Sequence, residues 1–319
     1  MFSLKFSSEA YAASFSNPAS VIIVVGAPGE SEFGSNFVHA ATLWQEACVR
    51  ADCRCLTLGL DSDSQTNDFM HLERALIDEP KEGLAPFWLV LVGHGTFDGK
   101  EARFNLRGPD VTGSDLAKWL RPFTRPMAVV DSTSCSAPLL SKLSGTNRVV
   151  VTATRTGNEQ YYVHFGTYLA EAIANPEADL DKDGQVSVLE AFLYGSRRTA
   201  QFYKTEGRIA TEHALLDDNG DNLGTPADWF RGLHATKKAK DNAGLDGLFA
   251  AQFCLVPSEA ERGLTQEQRA RRDALERAVL VFREKKGALP DDDYYGQLEK
   301  LLLDLARFYA ANISPGASP

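Results

Sequence analysis

The chain has 319 residues, of which 44% are hydrophobic and 24% are charged, and its formal net charge is −10. This is the composition of a globular protein, with enough residues for one α/β domain of roughly 200–250 residues and an additional segment. Lys and Arg form no stripe that could track phosphates, which argues against a nucleic-acid partner. No apolar stretch approaches the roughly 20 residues of a membrane-spanning helix.

The N-terminus and the cysteines bear on the cellular compartment. The segment MFSLKFSSEAYAASFSNPAS lacks the continuous apolar core of a signal peptide, so we expect an intracellular protein or a chain that has lost its export signal. The five cysteines are an odd number, so at least one thiol stays unpaired. Cys53 and Cys55 share one face of a predicted strand, but no second close pair of Cys or His follows to complete a zinc site.

Five strand-like segments alternate with helical segments over the first two-thirds of the chain. Each is an apolar, β-branched run that ends in turn or polar residues: VIIVVGAPG, CRCLTLGL, PFWLVLVGHG, PMAVVDSTSC and RVVVTATRTG. This alternation predicts a mostly parallel sheet with helices on both faces, a three-layer α/β/α sandwich. Ligands and catalytic groups in such folds collect at the carboxyl ends of the strands.

A helical pattern takes over after residue 257. The segment LTQEQRARRDALERAVLVFREKKG opens on a capping box at Thr265, and a second amphipathic helix follows it. We expect an α/β domain over residues 1–257, and a helical hairpin with a disordered tail over 258–319. Two helices bury too little apolar surface to stand alone, so the hairpin should pack on the α/β domain or on a second chain. The predicted apolar stripe of its second helix is Leu298, Leu302, Leu305 and Tyr309.

Two of the predicted strands end in residues suited to nucleophilic catalysis. PFWLVLVGHG ends in His94 and Gly95, and PMAVVDSTSC ends in Cys135. Alone, each is more typical of a structural histidine or a packed cysteine, but a thiol with a nearby imidazole becomes a nucleophile. The stretch between them is long enough for one helical crossover, so adjacent parallel strands would bring them together. The glycine lets a substrate carbonyl approach closely and offers a backbone N–H to an oxyanion.

The order of these segments resembles the caspase–legumain superfamily of cysteine peptidases, and within it the bacterial legumain-like peptidases. The resemblance covers about residues 21–223 and rests on VGHGTFDG, VVDSTSCSAPL and VTATRTGNE. It implies a caspase-like fold, a catalytic dyad of His94 and Cys135, and an oxyanion hole formed by the N–H groups of Gly95 and Cys135. It also implies substrate-binding roles for Ser134 and for Glu159, the acidic residue of the S1 wall.

The chain departs from the legumain pattern around this site. Thr133 and Ser134 stand before the cysteine where legumains have Glu-Ala, and the caspase cysteine pentapeptide is absent. The segment APGESEFGSN has no match to the basic S1 residues of legumains. We therefore expect no strict specificity for Asn. Glu159 favours a P1 side chain that donates hydrogen bonds or is positively charged: Asn, Arg or Lys.

The segment DLDKDGQVSVLE, residues 179–190, matches the 12-residue EF-hand calcium loop, in which alternate carboxylates converge on one cation. The predicted ligands are the side chains of Asp179, Asp181, Asp183 and Glu190 and the backbone carbonyl of Gln185. A solvated acidic loop is the alternative. A second segment, LLDDNGDN, alternates Asp217, Asn219 and Asp221 but has no glutamate at position 12, and fits a turn or an incomplete ligand set.

These observations together predict a calcium-stabilised cysteine endopeptidase that acts on protein or peptide substrates through an acyl-enzyme. One alternative is a catalytically inactive calcium-binding interaction module, and another is a peptide ligase or transpeptidase that uses the same dyad. The hairpin stands where legumains carry an inhibitory helical prodomain, so we expect it to serve self-docking or self-association, with inhibition as a further hypothesis.

Overall fold

The structure is a computed structural model that describes residues 19–61, 67–241 and 243–312. Its strands are β1 (Ser20–Val25), β2 (Arg54–Leu58), β3 (Phe87–Val92), β4 (Gly95–Phe97), β5 (Ala102–Phe104), β6 (Val111–Thr112), β7 (Met127–Asp131), β8 (Arg148–Thr152), β9 (Leu215–Asp217), β10 (Thr225–Pro226), β11 (Phe230–Arg231) and β12 (His234–Ala235). Its α-helices are α1 (Ser31–Ala51), α2 (Asp68–Asp78), α3 (Gly113–Leu120), α4 (Ala137–Leu143), α5 (Phe165–Ala172), α6 (Val188–Thr205), α7 (Glu259–Arg262), α8 (Gln266–Arg283) and α9 (Asp291–Asn312).

Seven strands form the central sheet, in the order β2-β1-β3-β7-β8-β9-β10. The first five of these run parallel to one another, and β9 and β10 add an antiparallel edge. These five parallel strands are the ones expected from the sequence, and the predicted α/β/α sandwich is confirmed. Burial on both faces explains the continuous apolar runs of β1, β3, β7 and β8, because every residue of these four strands is buried. The fifth, β2, lies at the edge of the sheet and is partly exposed.

The two faces of the sheet hold separate apolar cores. Val21 and Ile23 of β1 point to one face and pack with side chains of α1, α5 and α6. Ile22 and Val24 point to the other face and pack with side chains of α2, α3 and α4. This alternation is the period of two expected of a strand, and it leaves the carboxyl edge of the sheet to the connecting loops.

Two short antiparallel sheets were not expected from the sequence. Strands β4, β5 and β6 form one of them, and β11 and β12 form the other. Each of these strands has only two or three residues, too few to show a period of two. The first sheet adjoins a predicted catalytic residue, because β4 begins immediately after His94.

The C-terminal hairpin forms as predicted, with α8 packed on α9 and the ring of Phe282 stacked 5.3 Å from that of Tyr294. Gln252 of the α/β domain donates to the Asp273 carbonyl oxygen and accepts from Arg277, so α8 docks on that domain. Leu302, predicted to lie in the apolar stripe, is 46% exposed in the single chain. The tail predicted to be disordered lies outside the described residues. No helix of the described chain is long and apolar enough to cross a membrane.

Candidate active site and cation loop

The two strands that carry the predicted dyad, β3 and β7, are neighbours and run parallel. Immediately beyond them Gly95 and Ser134 touch, because the Gly95 N–H donates to Ser134 Oγ at 3.3 Å and the Ser134 hydroxyl donates to the Gly95 carbonyl oxygen at 3.0 Å. A Cβ at position 95 would lie 2.1 Å from the carbonyl oxygen of Ser134, so the approach requires glycine. The segments that bear His94 and Cys135 are thus brought together.

His94 is oriented by two rings and one carbonyl group. The rings of Phe33 and Phe37, both from α1, lie edge-on at 4.9 and 5.0 Å from the imidazole. Its Nε2 lies 3.2 Å from the carbonyl oxygen of Pro28. A carbonyl oxygen only accepts hydrogen bonds, so Nε2 carries the proton of the neutral ring and Nδ1 keeps a free electron pair. Nδ1 is therefore the nitrogen that can take a proton from a thiol.

Cys135 lies in the turn between β7 and α4. Its φ is 58°, a left-handed conformation that is uncommon for residues other than glycine and recurs at strand-to-helix turns that present a nucleophile. The side chain is 1% exposed. Burial raises the pKa of the thiol, a hydrogen bond with Ser134 lowers it, and the nearby Asp131 carboxyl raises it when ionised. Within the described residues no hydrogen bond joins Sγ to His94.

Both N–H groups that the resemblance assigns to the oxyanion hole are bonded inside the protein. The Cys135 N–H donates to the carbonyl oxygen of Glu159 at 2.9 Å, and the Gly95 N–H donates to Ser134. An oxyanion needs donors that are free to point at it, so this conformation does not present the expected hole. Ser134, expected to bind substrate, is 4% exposed, and its hydroxyl faces Gly95. Oxyanion binding by Gly95 and Cys135, and substrate binding by Ser134, therefore require these internal hydrogen bonds to break first.

Glu159, the expected acidic residue of the S1 wall, already has its hydrogen-bond donors. Its Oε1 lies 2.6 Å from Nδ1 of His213, and its Oε2 accepts the backbone N–H of Arg155 at 2.9 Å. The Arg155 guanidinium lies 3.4 Å from the same carboxylate. A substrate side chain would therefore compete with His213 for Glu159. The sequence drew no attention to His213, because the edge strand that it precedes, β9, is too short to recognise.

Two buried hydroxyl groups fasten the nucleophile turn to the end of β8. Ser136 Oγ accepts the backbone N–H groups of Ala153 at 3.1 Å and Thr154 at 3.2 Å. Thr154 Oγ1 accepts the N–H of Ala137, the first residue of α4, at 3.0 Å. The Ser/Thr-rich composition around Cys135 was the only sequence signal of this arrangement. These bonds position the start of the helix that follows the cysteine.

The loop predicted to bind calcium, residues 179–190, brings three of its carboxylates together. One carboxylate oxygen from each of Asp179, Asp181 and Asp183 lies within 4.8 Å of the other two. Gly184 has a φ of 86°, as the sharp bend requires. Over the described part of the chain, none of the three carboxylates pairs with Lys, Arg or His. Burial, with repulsion from Asp183, raises the pKa of Asp181 to about 6. Such a set of oxygens fits a hard divalent cation.

Glu190 does not join this group in the described conformation. Its Oε1 accepts the N–H of Leu180 at 2.7 Å, and its Oε2 accepts the N–H and the hydroxyl of Ser187, both at 2.8 Å. These bonds complete the capping box that starts α6. The side chain of Gln185 donates to Asp183. Bidentate ligation by Glu190 therefore requires its carboxylate to turn away from these donors.

A cluster of three thiols was missed in the sequence. Cys48 of α1 lies beside Cys53 and Cys55, with the Cys53 thiol donating to the Cys48 carbonyl oxygen at 3.6 Å. Hydrogen bonding to Cys48 lowers the pKa of Cys55 to about 7, and Cys55 is exposed. The third thiol, that of Cys48, belongs to the preceding helix. A search of the sequence for closely spaced cysteine pairs therefore does not find it. Cys55 is thus the thiol most open to general alkylating reagents.

No family model and no curated protein matches the chain. Similar solved structures include the initiator caspase Dronc of Drosophila, which is 12% identical with a TM-score of 0.42 over 65% of this chain and 82% of that one. Caspase-1 from Spodoptera frugiperda is 8% identical with a TM-score of 0.39 over 63% and 86%. A protein of Geobacter sulfurreducens is 12% identical with a TM-score of 0.37 over 57% and 89%. Likenesses of this size say nothing about activity, which has to be argued from the site.

Proposed function

We propose that the protein is a cysteine peptidase with Cys135 as nucleophile and His94 as base, and that the described conformation is a resting one. The observation that carries this proposal is the mutual contact of Gly95 and Ser134, since it sets the neighbours of these two residues at the ends of adjacent parallel strands. The Pro28 carbonyl adds support, because it leaves Nδ1 of His94 as a proton acceptor.

In the proposed reaction, Nδ1 of His94 takes the thiol proton and Sγ of Cys135 attacks the carbonyl carbon of the substrate. The N–H groups of Gly95 and Cys135 stabilise the oxyanion once Ser134 and Glu159 have released them. His94 then gives the proton to the leaving amine. Water, activated by the same imidazole, hydrolyses the acyl-enzyme and restores the thiol.

Calcium enters the proposal as a stabilising ligand of the loop and takes no part in the chemistry. Asp179, Asp181 and Asp183 would supply carboxylate oxygens, with the Gln185 carbonyl and Glu190 completing the set. Helix α5 lies between this loop and the segment of Glu159, and it packs closely on α6. A cation that orders the loop therefore also steadies the helices behind the proposed S1 wall.

We assign the substrates to proteins or peptides with Asn, Arg or Lys at P1. Each of these side chains donates hydrogen bonds, and the Glu159 carboxylate is the acceptor at the proposed wall. Binding would replace the contact between Glu159 and His213. A P1 Asp would add a second negative charge beside Glu159, which is unfavourable in a partly buried site.

A second candidate is a catalytically inactive calcium-binding module. The observations that favour it are the burial of Cys135 and the internal hydrogen bond of its N–H group to Glu159. In that case His94 and Cys135 would be packing residues, and partners would bind elsewhere. A peptide ligase would use the same dyad as the peptidase and would differ only in the acceptor of the acyl group.

Cleavage of a mixed peptide library by the full chain in calcium tests the peptidase, with products identified by mass spectrometry. We expect cleavage by the wild type and by Cys55→Ser, and none by Cys135→Ala. A peptidyl electrophile should label Cys135 in the Cys55→Ser background, which removes the exposed thiol that would otherwise react. Absence of both cleavage and labelling would favour the inactive module. Faster product formation with added amine would indicate the ligase.

A further inference from the structure

The loop after β9 repeats the backbone of the calcium loop. Its first six residues, 217–222, correspond in order to residues 179–184. The fourth and sixth residues of each loop are left-handed: Lys182 (φ 62°) and Gly184 (86°) in one, Gly220 (78°) and Asn222 (68°) in the other. This correspondence identifies the positions that face inward, but it does not by itself show that an ion binds.

The hydrogen bonds inside the two loops also correspond. In the loop after β9, the side chains at positions 1, 3 and 5 accept backbone N–H groups at 2.8–3.0 Å: Asp217 from Gly220, Asn219 from Asp221, and Asp221 from Leu223. In the calcium loop the same positions accept the same N–H groups: Asp179 from Lys182, Asp181 from Asp183, and Asp183 from Gln185. In each loop, one oxygen of each side chain at positions 1, 3 and 5 therefore accepts a backbone hydrogen bond that holds the side chain in place.

The observation that points to a ligand is a pair of buried carboxylate oxygens without partners. Asp217 is 1% exposed, and within the described residues its Oδ2 meets no donor in hydrogen-bond geometry, although the Ser144 hydroxyl lies beside the carboxylate. In the calcium loop the equivalent oxygen, Oδ2 of Asp179, accepts the N–H of position 6. Here the N–H of position 6, Asn222, donates to Ser144 instead. Oδ2 of Asp221 is likewise buried and unpartnered. Leaving two carboxylate oxygens dry and unpaired is costly, so they call for a positive ligand.

No side chain supplies that charge. Throughout the described residues, Lys, Arg and His form no ion pair with Asp217, Asp221 or the neighbouring buried Asp218 and Asp246. The carboxylate of Asp218 instead accepts the N–H groups of residues 247, 249 and 250. Asp246 accepts from the backbone of Asp218 and from a threonine hydroxyl. Hydrogen bonds from the protein therefore satisfy the carboxylates of Asp218 and Asp246. The buried carboxylate oxygens that still need a positive partner are those of Asp217 and Asp221.

We propose that the loop of residues 217–223 is a second cation site, in which Asp217, Asn219 and Asp221 bind Ca²⁺ through side-chain oxygens. Carboxylate and amide oxygens are ligands for a hard divalent cation. This loop has two carboxylates, whereas the loop of residues 179–190 has three, and it has no glutamate at position 12. It should therefore bind Ca²⁺ more weakly than residues 179–190. The ion would tie the antiparallel edge of the sheet to Ser144, whose hydroxyl already holds the loop.

Ion counting tests this proposal. The chelator-treated full chain is titrated with Ca²⁺, and bound ions are counted by native mass spectrometry. Asp221→Asn is the main variant because its amide oxygen can still accept the N–H of Leu223, and Asp217→Asn is the second in case the first does not fold. Asp181→Asn reports on the other loop. Asp292→Asn, in an exposed acidic cluster at the start of α9, is the matched control.

We expect a second Ca²⁺ on the wild type at higher concentration, retained by Asp292→Asn and Asp181→Asn but lost in Asp221→Asn and Asp217→Asn. Loss of the second Ca²⁺ in Asp221→Asn and Asp217→Asn supports the proposed site even if Asp181→Asn still binds two ions. The test therefore does not depend on calcium binding at residues 179–190 or on peptidase activity. A wild type that binds no ion, or only an ion that Asp221→Asn and Asp217→Asn retain, overturns the proposal.

Discussion

The backbone N–H of Cys135 donates a hydrogen bond to the carbonyl oxygen of Glu159 at 2.9 Å. The proposed nucleophile and the proposed S1 wall are therefore joined directly, through main-chain atoms. The side chain of Glu159 is fixed in turn by His213. Binding of a substrate at Glu159 would loosen this arrangement and free the Cys135 N–H for an oxyanion. In the proposed peptidase, substrate recognition and completion of the oxyanion hole would thus be coupled through Glu159.

Replacement of the dyad tests the proposed chemistry. We expect Cys135→Ala to abolish peptide cleavage and His94→Ala to reduce it by orders of magnitude, because nucleophile and base act as a unit. The fold should survive both changes, and far-ultraviolet circular dichroism with thermal melting checks this. Wild-type turnover in either variant would remove that residue from the mechanism. His39→Ala, a change at an exposed histidine of α1, is the control.

Loss of His213 should favour the open conformation. His213→Ala removes a hydrogen bond to the Glu159 carboxylate, and for a half-exposed partner this contact is worth about 1 kcal/mol. We expect kcat/KM for a small peptide to rise about fivefold. Arg155→Ala removes the more exposed partner of the same carboxylate and should change the rate much less. A lower rate in His213→Ala would show that the imidazole supports the substrate pocket.

Calcium should stabilise the native chain by mass action. At about 100 times Kd a ligand that binds only the folded state adds about 2.7 kcal/mol to the free energy of unfolding. We expect the melting temperature of chelator-treated protein to rise on addition of Ca²⁺, and most of this rise to vanish in Asp181→Asn. The exposed substitution Asp292→Asn should leave it intact. An unchanged melting curve for the wild type would contradict a calcium loop at residues 179–190.

The stability of the fold should depend on pH through Asp131. Its carboxyl is fully buried, no donor among the described residues reaches its Oδ2, and burial raises its pKa to about 7. The native state therefore holds a proton that the unfolded state releases above about pH 4. Between pH 4 and 7 the contribution of this group to the free energy of unfolding falls by up to about 1.4 kcal/mol per pH unit.

The measurement for Asp131 is urea unfolding of the wild type and of Asp131→Asn at several pH values. Other buried carboxyl groups titrate in the same range, so the informative quantity is the difference between the two proteins. The wild type should lose stability relative to the variant as pH rises to 7, with little further change above about pH 8. Parallel profiles would mean that Asp131 is ionised throughout this range.

The parallel strands and the approach of the segment after β3 to the segment after β7 were predictable for physical reasons. A strand buried on both faces must be a continuous apolar run, and the runs of β1, β3, β7 and β8 are visible in the sequence. Parallel strands leave the sheet at one edge, so residues at the ends of neighbouring runs meet. Gly95 was expected to let a substrate carbonyl approach closely, and in the structure the carbonyl oxygen that lies close to it is that of Ser134. Nothing in the sequence indicated that this carbonyl would belong to the protein's own backbone.

Other features of the site carry no sequence signal. The group that orients His94 is the backbone carbonyl of Pro28, and any residue could supply a carbonyl. The occupied N–H of Cys135 depends on how the Glu159 segment folds, not on its side chains. Glu190 shows a different limit, because position 12 of a calcium loop is also the third residue of the next helix. One glutamate fits both the metal pattern and the capping box.

Removal of the hairpin tests its role. The described hairpin touches the α/β domain through α8, around Gln252, and no hydrogen bond or ion pair joins α8 or α9 of the described chain to the segments of His94 and Cys135. Truncation before Ser258 should therefore leave cleavage of a small peptide unchanged while lowering the melting temperature. A rise in cleavage would instead support inhibition by the hairpin.

The same truncation addresses self-association. Tyr295, Leu302 and Leu303 of α9 are each 46–53% exposed, so they form an apolar face that the α/β domain does not cover. If this face binds a second chain, size-exclusion chromatography of the full chain should show a dimer that the truncated chain cannot form. Leu302→Glu with Leu303→Glu gives a matched test without truncation, because both side chains point outward and the fold should tolerate the charges. A full chain that elutes as a monomer at all concentrations would leave α9 as a docking element of its own domain.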